Sequence, residues 1–155
     1  MPRNSAKAIV LHEGRILVNR CVSRFGTYYA LPGGGQKHGE TLTEAVQREL
    51  LEEAGLSVRP MRLSAIYETV STNRPEGMNH KIYFVFLCAL NDVRPVKPSH
   101  QDTFQMGTEW IPLSEIQAAF HRGEMTAIKN QVRHTSCDIG IAGTADCAAP
   151  VSGQA

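Results

Sequence analysis

GGQKHGETLTEAVQRELLEEAGL, residues 34–56, decides the fold, because it contains the clearest start and stop signals for a helix in the chain. Thr41 followed by Glu44 matches the capping box, in which each residue satisfies a backbone N–H of the other. Gly55 matches the left-handed residue that commonly ends a helix. These signals predict a helix from Thr41 to Ala54.

Three glutamates interrupt the apolar stripe of this helix. Traced at spacings of three and four residues, the inward face starts apolar at Leu42 and is apolar again at Leu56. Its central positions are Glu49, Glu52 and Glu53. Glu49 neighbours the other two at i+3 and i+4, and each like-charge pair costs roughly 0.2–0.5 kcal/mol even when exposed. The adjacent Arg48 can offset one of these charges but not three.

Two explanations for the glutamates compete. A solvated acidic face with an exposed ion pair is the usual role of helical glutamates, but it requires the apolar stripe to stop at Val46. Alternatively, divalent cations supply the missing positive charge. Carboxylate oxygens suit Mg²⁺ or Mn²⁺, which also bridge phosphate oxygens. Departures from the usual pattern of apolar and polar residues are expected at functional sites, so we favour the metal explanation.

The elements on either side of this helix predict a mixed α/β domain. Short β-rich runs predict strands at Lys7–Leu11, Arg15–Arg20, Tyr28–Leu31, Arg62–Val70, Lys81–Leu90 and Thr108–Ile111. A second helix is expected from Ser114 to His121, whereas Gly33-Gly34-Gly35 is expected to be a loop. This order of elements indicates a mixed sheet with helices packed on it.

Composition is that of an ordinary globular protein. The 155 residues are 42% hydrophobic and 20% charged with a net charge of +1, which gives no reason to expect a nucleic-acid groove or a membrane surface as partner. The longest apolar run, Ile82–Leu90, is far short of the roughly 20 residues of a spanning helix. The start of the chain lacks a signal-peptide pattern and the four cysteines lack C-x-x-C spacing, so we expect a cytoplasmic, reduced protein.

The motif that begins at Gly34 resembles the signature box of the Nudix hydrolases, a MutT-like superfamily. That box reads Gly, five residues, Glu, seven residues, Arg-Glu, an aliphatic residue, any residue, Glu-Glu, any residue, Gly, an aliphatic residue. Every specified position is matched, by Gly34, Glu40, Arg48, Glu49, Leu50, Glu52, Glu53, Gly55 and Leu56. The resemblance implies a Nudix-type α/β/α sandwich around a mixed β-sheet for residues 5–133. It says nothing about residues 134–155, which we expect to be a flexible tail.

The resemblance also implies roles for individual residues. The metal ligands would be Glu49, Glu52, Glu53 and the backbone carbonyl of Gly33, with Mg²⁺ as the cofactor and Mn²⁺ as its substitute. Arg48 would orient the glutamates. The general base would be Glu53, or alternatively Glu52.

The implied reaction is hydrolysis of the diphosphate bond of a nucleoside diphosphate linked to another moiety, such as ADP-ribose or a sugar nucleotide. Two alternatives stay open: a nucleoside triphosphate pyrophosphohydrolase, and a module that senses a nucleotide without cutting it. Outside the box, the candidate substrate-binding residues are Arg24, Tyr29, Lys37 and Asp102. The expected partner is a small nucleotide rather than a membrane or a nucleic acid, and a homodimer is compatible with the sequence.

Overall fold

The structure, a computed structural model, describes residues 1–23, 26–71, 79–92, 105–118 and 140–141. These ranges contain eight strands, one α-helix and one 3₁₀ helix. The elements in chain order are β1 (Arg3–His12), β2 (Arg15–Ser23), β3 (Gly26–Ala30), β4 (Gly33–Gly35), α1 (Leu42–Ala54), β5 (Val58–Ser71), β6 (Asn79–Leu90), β7 (Gln105–Pro112), the 3₁₀ helix (Leu113–Ala118) and β8 (Gly140–Ile141).

The described strands form one mixed sheet. Its order is β3-β2-β1-β6-β5-β8, with β4 paired to β1 and β7 paired to β2. Strand β1 runs parallel to β6 from Arg3, opposite Lys81, to Val10, opposite Cys88, and β8 runs parallel to β5. The other pairs are antiparallel. The predicted mixed α/β fold is therefore confirmed.

Helix α1 has the ends that its sequence predicts. The Thr41 hydroxyl accepts the backbone N–H of Glu44 at 3.2 Å, and the Glu44 carboxylate accepts the N–H of Thr41 at 2.7 Å. Gly55 ends the helix in the left-handed conformation with φ of 66°. These caps set where the helix begins and ends, and its buried side chains Ala45, Val46 and Leu50 set which side faces the sheet.

The sheet is covered on both faces. On β1, Ala6, Ala8 and Val10 point toward α1, whereas Ile9 belongs to the opposite face, as the alternation of a strand requires. The core under α1 also includes Leu17, Ala45, Val46, Leu50, Ala54, Leu56, Val58, Phe86 and Cys88. The opposite core contains Ile16, Val18, Leu31, Ala65, Tyr67, Val85, Ile111 and, from the 3₁₀ helix, Ile116. No helix within the described ranges has the length and hydrophobicity needed to cross a bilayer.

The prediction of a loop at Gly33–Gly35 is wrong, because these glycines form strand β4. They pair antiparallel with Ser5–Lys7 of β1. The backbone can pair without side chains, and close packing excludes them here. Gly33 has φ of 126°, and a Cβ at that position would overlap the carbonyl oxygen of Ala6.

Other boundaries also differ from prediction, since most strands extend beyond their predicted ends. Strand β5 starts at Val58 rather than Arg62, since a register shift between Pro60 and Arg62 lets the ladder continue past a proline that cannot donate. The second predicted helix, Ser114–His121, appears as the 3₁₀ helix, and residues 119–121 lie outside the described residues. Within the predicted tail only β8 is described.

Candidate active site

Glu53 is a buried carboxylate at the junction of α1 with the glycine strand β4. It is 7% exposed, and its Oε2 accepts the side-chain amide of Asn19 and the backbone N–H of Gly33, both at 2.9 Å. Burial raises the pKa of Glu53, while these two hydrogen bonds and the nearby Lys7 ammonium lower it in part. The second oxygen, Oε1, has no hydrogen-bond partner among the described residues.

Asn19 on β2 is a site residue that the sequence analysis missed. It is 5% exposed, and the hydroxyl of Thr108 on β7 lies 3.2 Å from both its Oδ1 and the carbonyl oxygen of Glu53. The available signal in the sequence was a polar residue directly after the apolar run Ile16–Val18. Buried polar side chains are normally hydrogen-bonded, so a partner was to be expected.

Glu49 lies directly against strand β4. A Cβ at Gly34 would lie 2.5 Å from the carboxyl carbon of Glu49, closer than any side chain can be placed. The Glu49 side chain is only 15% exposed. The absence of a side chain at Gly34 therefore lets the Glu49 carboxylate lie against β4, and an added methyl group would displace that carboxylate.

Arg48 connects the remaining carboxylates. Its guanidinium binds Glu40 through two nitrogens at 2.7 and 3.1 Å, and Glu49 and Glu52 through Nη1 at 2.6 and 3.2 Å. It also donates to the carbonyl oxygen of Gly35 at 3.0 Å. The Arg48 hydrogen bond lowers the pKa of Glu40 to about 2, and the same contact raises the pKa of Arg48. One cation thus ties three carboxylates to β4.

The donor set suits a hard divalent cation. Glu49 and Glu52 share the guanidinium of Arg48, since Lys37 approaches Glu52 only to 3.8 Å and is 64% exposed, and Glu53 forms no ion pair among the described residues. Oxygen donors with excess negative charge are what Mg²⁺ and Mn²⁺ require. No three carboxylate, His or Cys groups of the described residues surround one point. Glu49 and Glu52 are bonded to Arg48, whereas Glu53 is bonded to Asn19 and Gly33. The residues fit the ion in charge and donor type.

The carbonyl of Gly33, predicted as a further ligand, accepts a hydrogen bond from Lys7. The ammonium of Lys7 donates to the carbonyl oxygens of Gly33 at 2.9 Å and Leu31 at 3.0 Å. A carbonyl oxygen has two lone pairs, so the Gly33 oxygen keeps one for a cation. Lys7 is the second site residue that the sequence analysis missed, and only its place in a β-rich run could have drawn attention to it.

Two cavities open beside Lys7 on the sheet face opposite α1. The smaller, about 180 Å³, is lined by Lys7, Tyr28, Tyr29, Ala30, Tyr67, Thr69 and Tyr83. The larger, about 380 Å³, is polar and is lined by Arg3, Asn4, Ser5, Lys7, Gly33, Gly34, Gly35, Lys81 and Tyr83. Lys7 and Tyr83 belong to both. The two cavities are therefore adjacent: tyrosines line the smaller, and the glycine strand β4, which Glu49 and Glu53 contact, lines the larger.

The predicted substrate-binding residues fall in different places. Tyr29 lines the smaller cavity, and its hydrogen bond to Glu109 raises the pKa of its hydroxyl. The other Glu109 oxygen, Oε1, is buried without a partner among the described residues. Lys37 lies on the other side of the site, beside Glu52. Arg24 and Asp102 lie outside the described residues.

Comparison with known proteins agrees with this architecture. The NUDIX domain model matches residues 1–131. Phosphatase NudJ of Escherichia coli K12 is 27% identical over 127 residues, which cover 81% of this chain and 79% of NudJ. A NUDIX hydrolase from Nitrosomonas europaea superposes with a TM-score of 0.69 at 25% identity, covering 86% of this chain and 90% of that one. An ADP-ribose pyrophosphatase from Streptococcus suis superposes with a TM-score of 0.60 at 21% identity, covering 93% and 99%.

The family match spans most of the chain, including the helix, the glycine strand and the glutamates described above. Members of this family generally need a divalent metal ion and act on small nucleotide substrates. The chain therefore belongs to the NUDIX family and is a hydrolase that acts on phosphorus-containing anhydrides.

Proposed function

We propose that this hydrolase cleaves the diphosphate bond of a nucleoside diphosphate linked to another moiety, of the ADP-ribose or sugar-nucleotide type. Magnesium is the proposed cofactor, with Mn²⁺ as its substitute. The observation that carries the proposal is the placement of Glu53. Its Oε2 is held by Asn19 and Gly33, while Oε1 makes no hydrogen bond among the described residues. Glu49 lies near enough for its charge to help raise the pKa of Glu53.

In this proposal Glu49, Glu52, Glu53 and the Gly33 carbonyl would hold the ion. Such an ion would neutralise diphosphate oxygens and would make a water molecule more acidic. Glu53 Oε1 would accept a proton from the attacking water, as a general base must. Its two hydrogen bonds keep Oε2 fixed, so that Oε1 has one orientation. Arg48 positions Glu49 and Glu52, which it contacts through the same nitrogen.

The alternative reactions differ in their products. Cleavage of a nucleoside diphosphate derivative yields a nucleoside monophosphate and a phosphorylated second group, whereas a triphosphate pyrophosphohydrolase yields pyrophosphate. A sensing module yields neither. The intact box argues against the sensor, since Glu40, Glu49, Glu52 and Glu53 are all present and bonded. The larger cavity leaves room for a second group beyond the nucleoside.

The test is a product analysis of ADP-ribose, UDP-glucose, a flavin dinucleotide and the common deoxynucleoside triphosphates with Mg²⁺, with Mn²⁺ and with EDTA. We expect monophosphate release from one of the first three compounds with either metal and none with EDTA. Glu53→Gln should lower kcat by about 10²–10⁴, the usual contribution of a general base. Glu44→Gln on the same helix is the matched control and should keep activity, because glutamine preserves a capping box.

Two outcomes would contradict the proposal. Pyrophosphate release from triphosphates, with no cleavage of the diphosphate derivatives, would establish the housecleaning reaction instead. No turnover of any compound with either metal would contradict the proposal and favour the sensor. Activity that survives in Glu53→Gln but not in Glu52→Gln would assign the base to Glu52.

A further inference from the structure

Lys7 carries a positive charge without a close counter-ion. Its side chain is half-buried on β1, and its ammonium donates to two neutral carbonyl oxygens, those of Leu31 and Gly33. No carboxylate lies within ion-pair distance of it among the described residues. An ammonium has three donors, so one remains. A half-buried cation with a spare donor is matched by an anionic acceptor.

The spare donor lies where the two cavities meet. On one side are the tyrosines of the smaller cavity, in which Tyr67 and Tyr83 stack with ring centroids 4.6 Å apart and planes 13° apart. On the other side is the polar cavity along β4, which also contains Arg3 and Lys81. At about 180 Å³ the smaller cavity is below the roughly 300–1,000 Å³ of a whole ligand site. It has room for one ring system rather than a complete nucleotide.

We propose that Lys7 binds the phosphoryl group attached to the nucleoside, with the base in the tyrosine-lined cavity and the second phosphoryl group in the polar cavity. This proposal rests on the proposed function, because it takes a nucleotide as the ligand. Tyr67 is buried against Tyr83, so the rings that can meet a base are those of the half-buried Tyr83 and the exposed Tyr28. Aromatic faces bind any base by stacking. Lys7 then distinguishes a nucleotide from its nucleoside. Its contact with the carbonyl of Gly33, whose N–H binds Glu53, places that phosphoryl group next to strand β4.

The test is metal-free binding, so that no turnover occurs. Titration calorimetry in EDTA compares AMP with adenosine and UMP with uridine, each against the wild type, Lys7→Met and Lys7→Arg. The charge control is Arg59→Met, which removes one positive charge from an exposed position on β5. Tyr83→Leu tests the base site. Thermal unfolding of each variant shows that it is folded.

We expect the wild type to bind the monophosphate more tightly than the nucleoside. Lys7→Met should lower monophosphate affinity by about tenfold, to that of the nucleoside, as loss of a charge-assisted hydrogen bond predicts. Lys7→Arg should keep most of the difference and Arg59→Met all of it. Tyr83→Leu should weaken both ligands alike.

The assignment is overturned if folded Lys7→Met keeps the wild-type difference between monophosphate and nucleoside, or if the wild type binds no mononucleotide at millimolar concentration. A protein that hydrolyses diphosphates while binding nucleotides independently of Lys7 refutes this inference alone. A protein that shows the Lys7-dependent difference but hydrolyses no diphosphate refutes the proposed function alone.

Discussion

At the scale of single residues, the site depends on contacts that leave no space for an added carbon. Glu49 reaches β4 only because Gly34 has no side chain, and Glu53 is fixed by one amide and one backbone N–H. Interiors are close-packed, so a change of one methyl group there displaces a functional carboxylate. Two substitutions test this directly.

Gly34→Ala should abolish activity with little loss of stability. The added methyl group would overlap the Glu49 carboxylate, whereas the backbone of Gly34 has no positive φ that alanine would strain. We expect at least about a hundredfold loss of kcat, since misplacement of a reacting group by 1 Å has that cost. Gly35→Ala is the control, because its methyl group meets only the flexible end of Arg3 at 3.2 Å. Equal activities of the two variants would refute the close-approach account.

Asn19→Ala should affect both stability and activity. It leaves the buried Glu53 oxygen with one donor, and loss of a hydrogen bond to a charged group costs about 1.5–3 kcal/mol. Denaturant unfolding measures this cost, and steady-state kinetics should show a lower kcat. The control is Asn91→Ala, which removes an exposed hydrogen bond to Ser57. An Asn19→Ala protein with wild-type kcat would show that Glu53 needs no such support.

At the scale of elements, helix α1 and the chain before it form one electrostatic unit. Glu40 lies in the segment before the helix, accepts the backbone N–H of Lys37, and binds Arg48 through both oxygens. The helix cap at Thr41 follows directly. The arrangement of Glu49 and Glu52 therefore depends on the Glu40–Arg48 pair, whereas the cap at Thr41 stabilises the start of the helix.

The Glu40–Arg48 pair should make stability depend on pH in the acid range. The pKa of Glu40 is lowered in the folded state, from 4.5 to about 2, so its stabilising contribution is complete above pH 4.5. That contribution is lost as the pH falls from about 4.5 through about 2. The charged groups that act on Glu40 are Arg48, Lys37 and Glu44. Glu40→Gln should be less stable than the wild type at pH 7, and the difference should shrink toward pH 2 in urea unfolding. A difference that is constant with pH would contradict this.

Thr41→Ala should lower stability and spare catalysis. Loss of an N-cap costs about 1 kcal/mol, which corresponds to roughly 2–4 °C in Tm for a chain of this size. Calorimetry gives the shift in Tm, and kcat at 25 °C should equal that of the wild type. Thr41→Ser is the control and should have the wild-type Tm, since serine is an equally good cap. A Thr41→Ser protein as unstable as Thr41→Ala would show that the loss of stability does not come from the cap.

Local sequence patterns predicted these elements to different degrees. The helix was predicted to within one residue of its observed start, because its caps are contacts between residues three or four positions apart. Strand β4 was not predicted, because glycines carry no strand preference and pairing with β1 joins residues about 26–30 positions apart. The bulge past Pro60 likewise depends on β6, its partner strand.

At the scale of the whole molecule, the residues of the signature box could be predicted from contacts local in sequence, whereas the rest of the site depends on contacts distant in sequence. The glutamates and Arg48 were identified from spacing on one helix. Asn19 and Lys7 were missed because their contacts, to Glu53 and Gly33, span 34 and 26 residues of sequence. Only the folded sheet brings β1, β2 and β4 together beside α1. Residues that complete a site from other strands leave no local pattern, so the substrate could not be derived from the sequence.

The central claim is that a divalent ion compensates the glutamates of α1, and Mn²⁺ binding measured by electron paramagnetic resonance tests it most directly. We predict that the wild type binds Mn²⁺ and that Mg²⁺ competes. Glu49→Gln, Glu52→Gln and Glu53→Gln should each weaken binding by about tenfold or more, whereas Glu44→Gln should not. A wild-type protein without Mn²⁺ affinity, or three glutamine variants that bind Mn²⁺ as tightly as the wild type, would contradict the account.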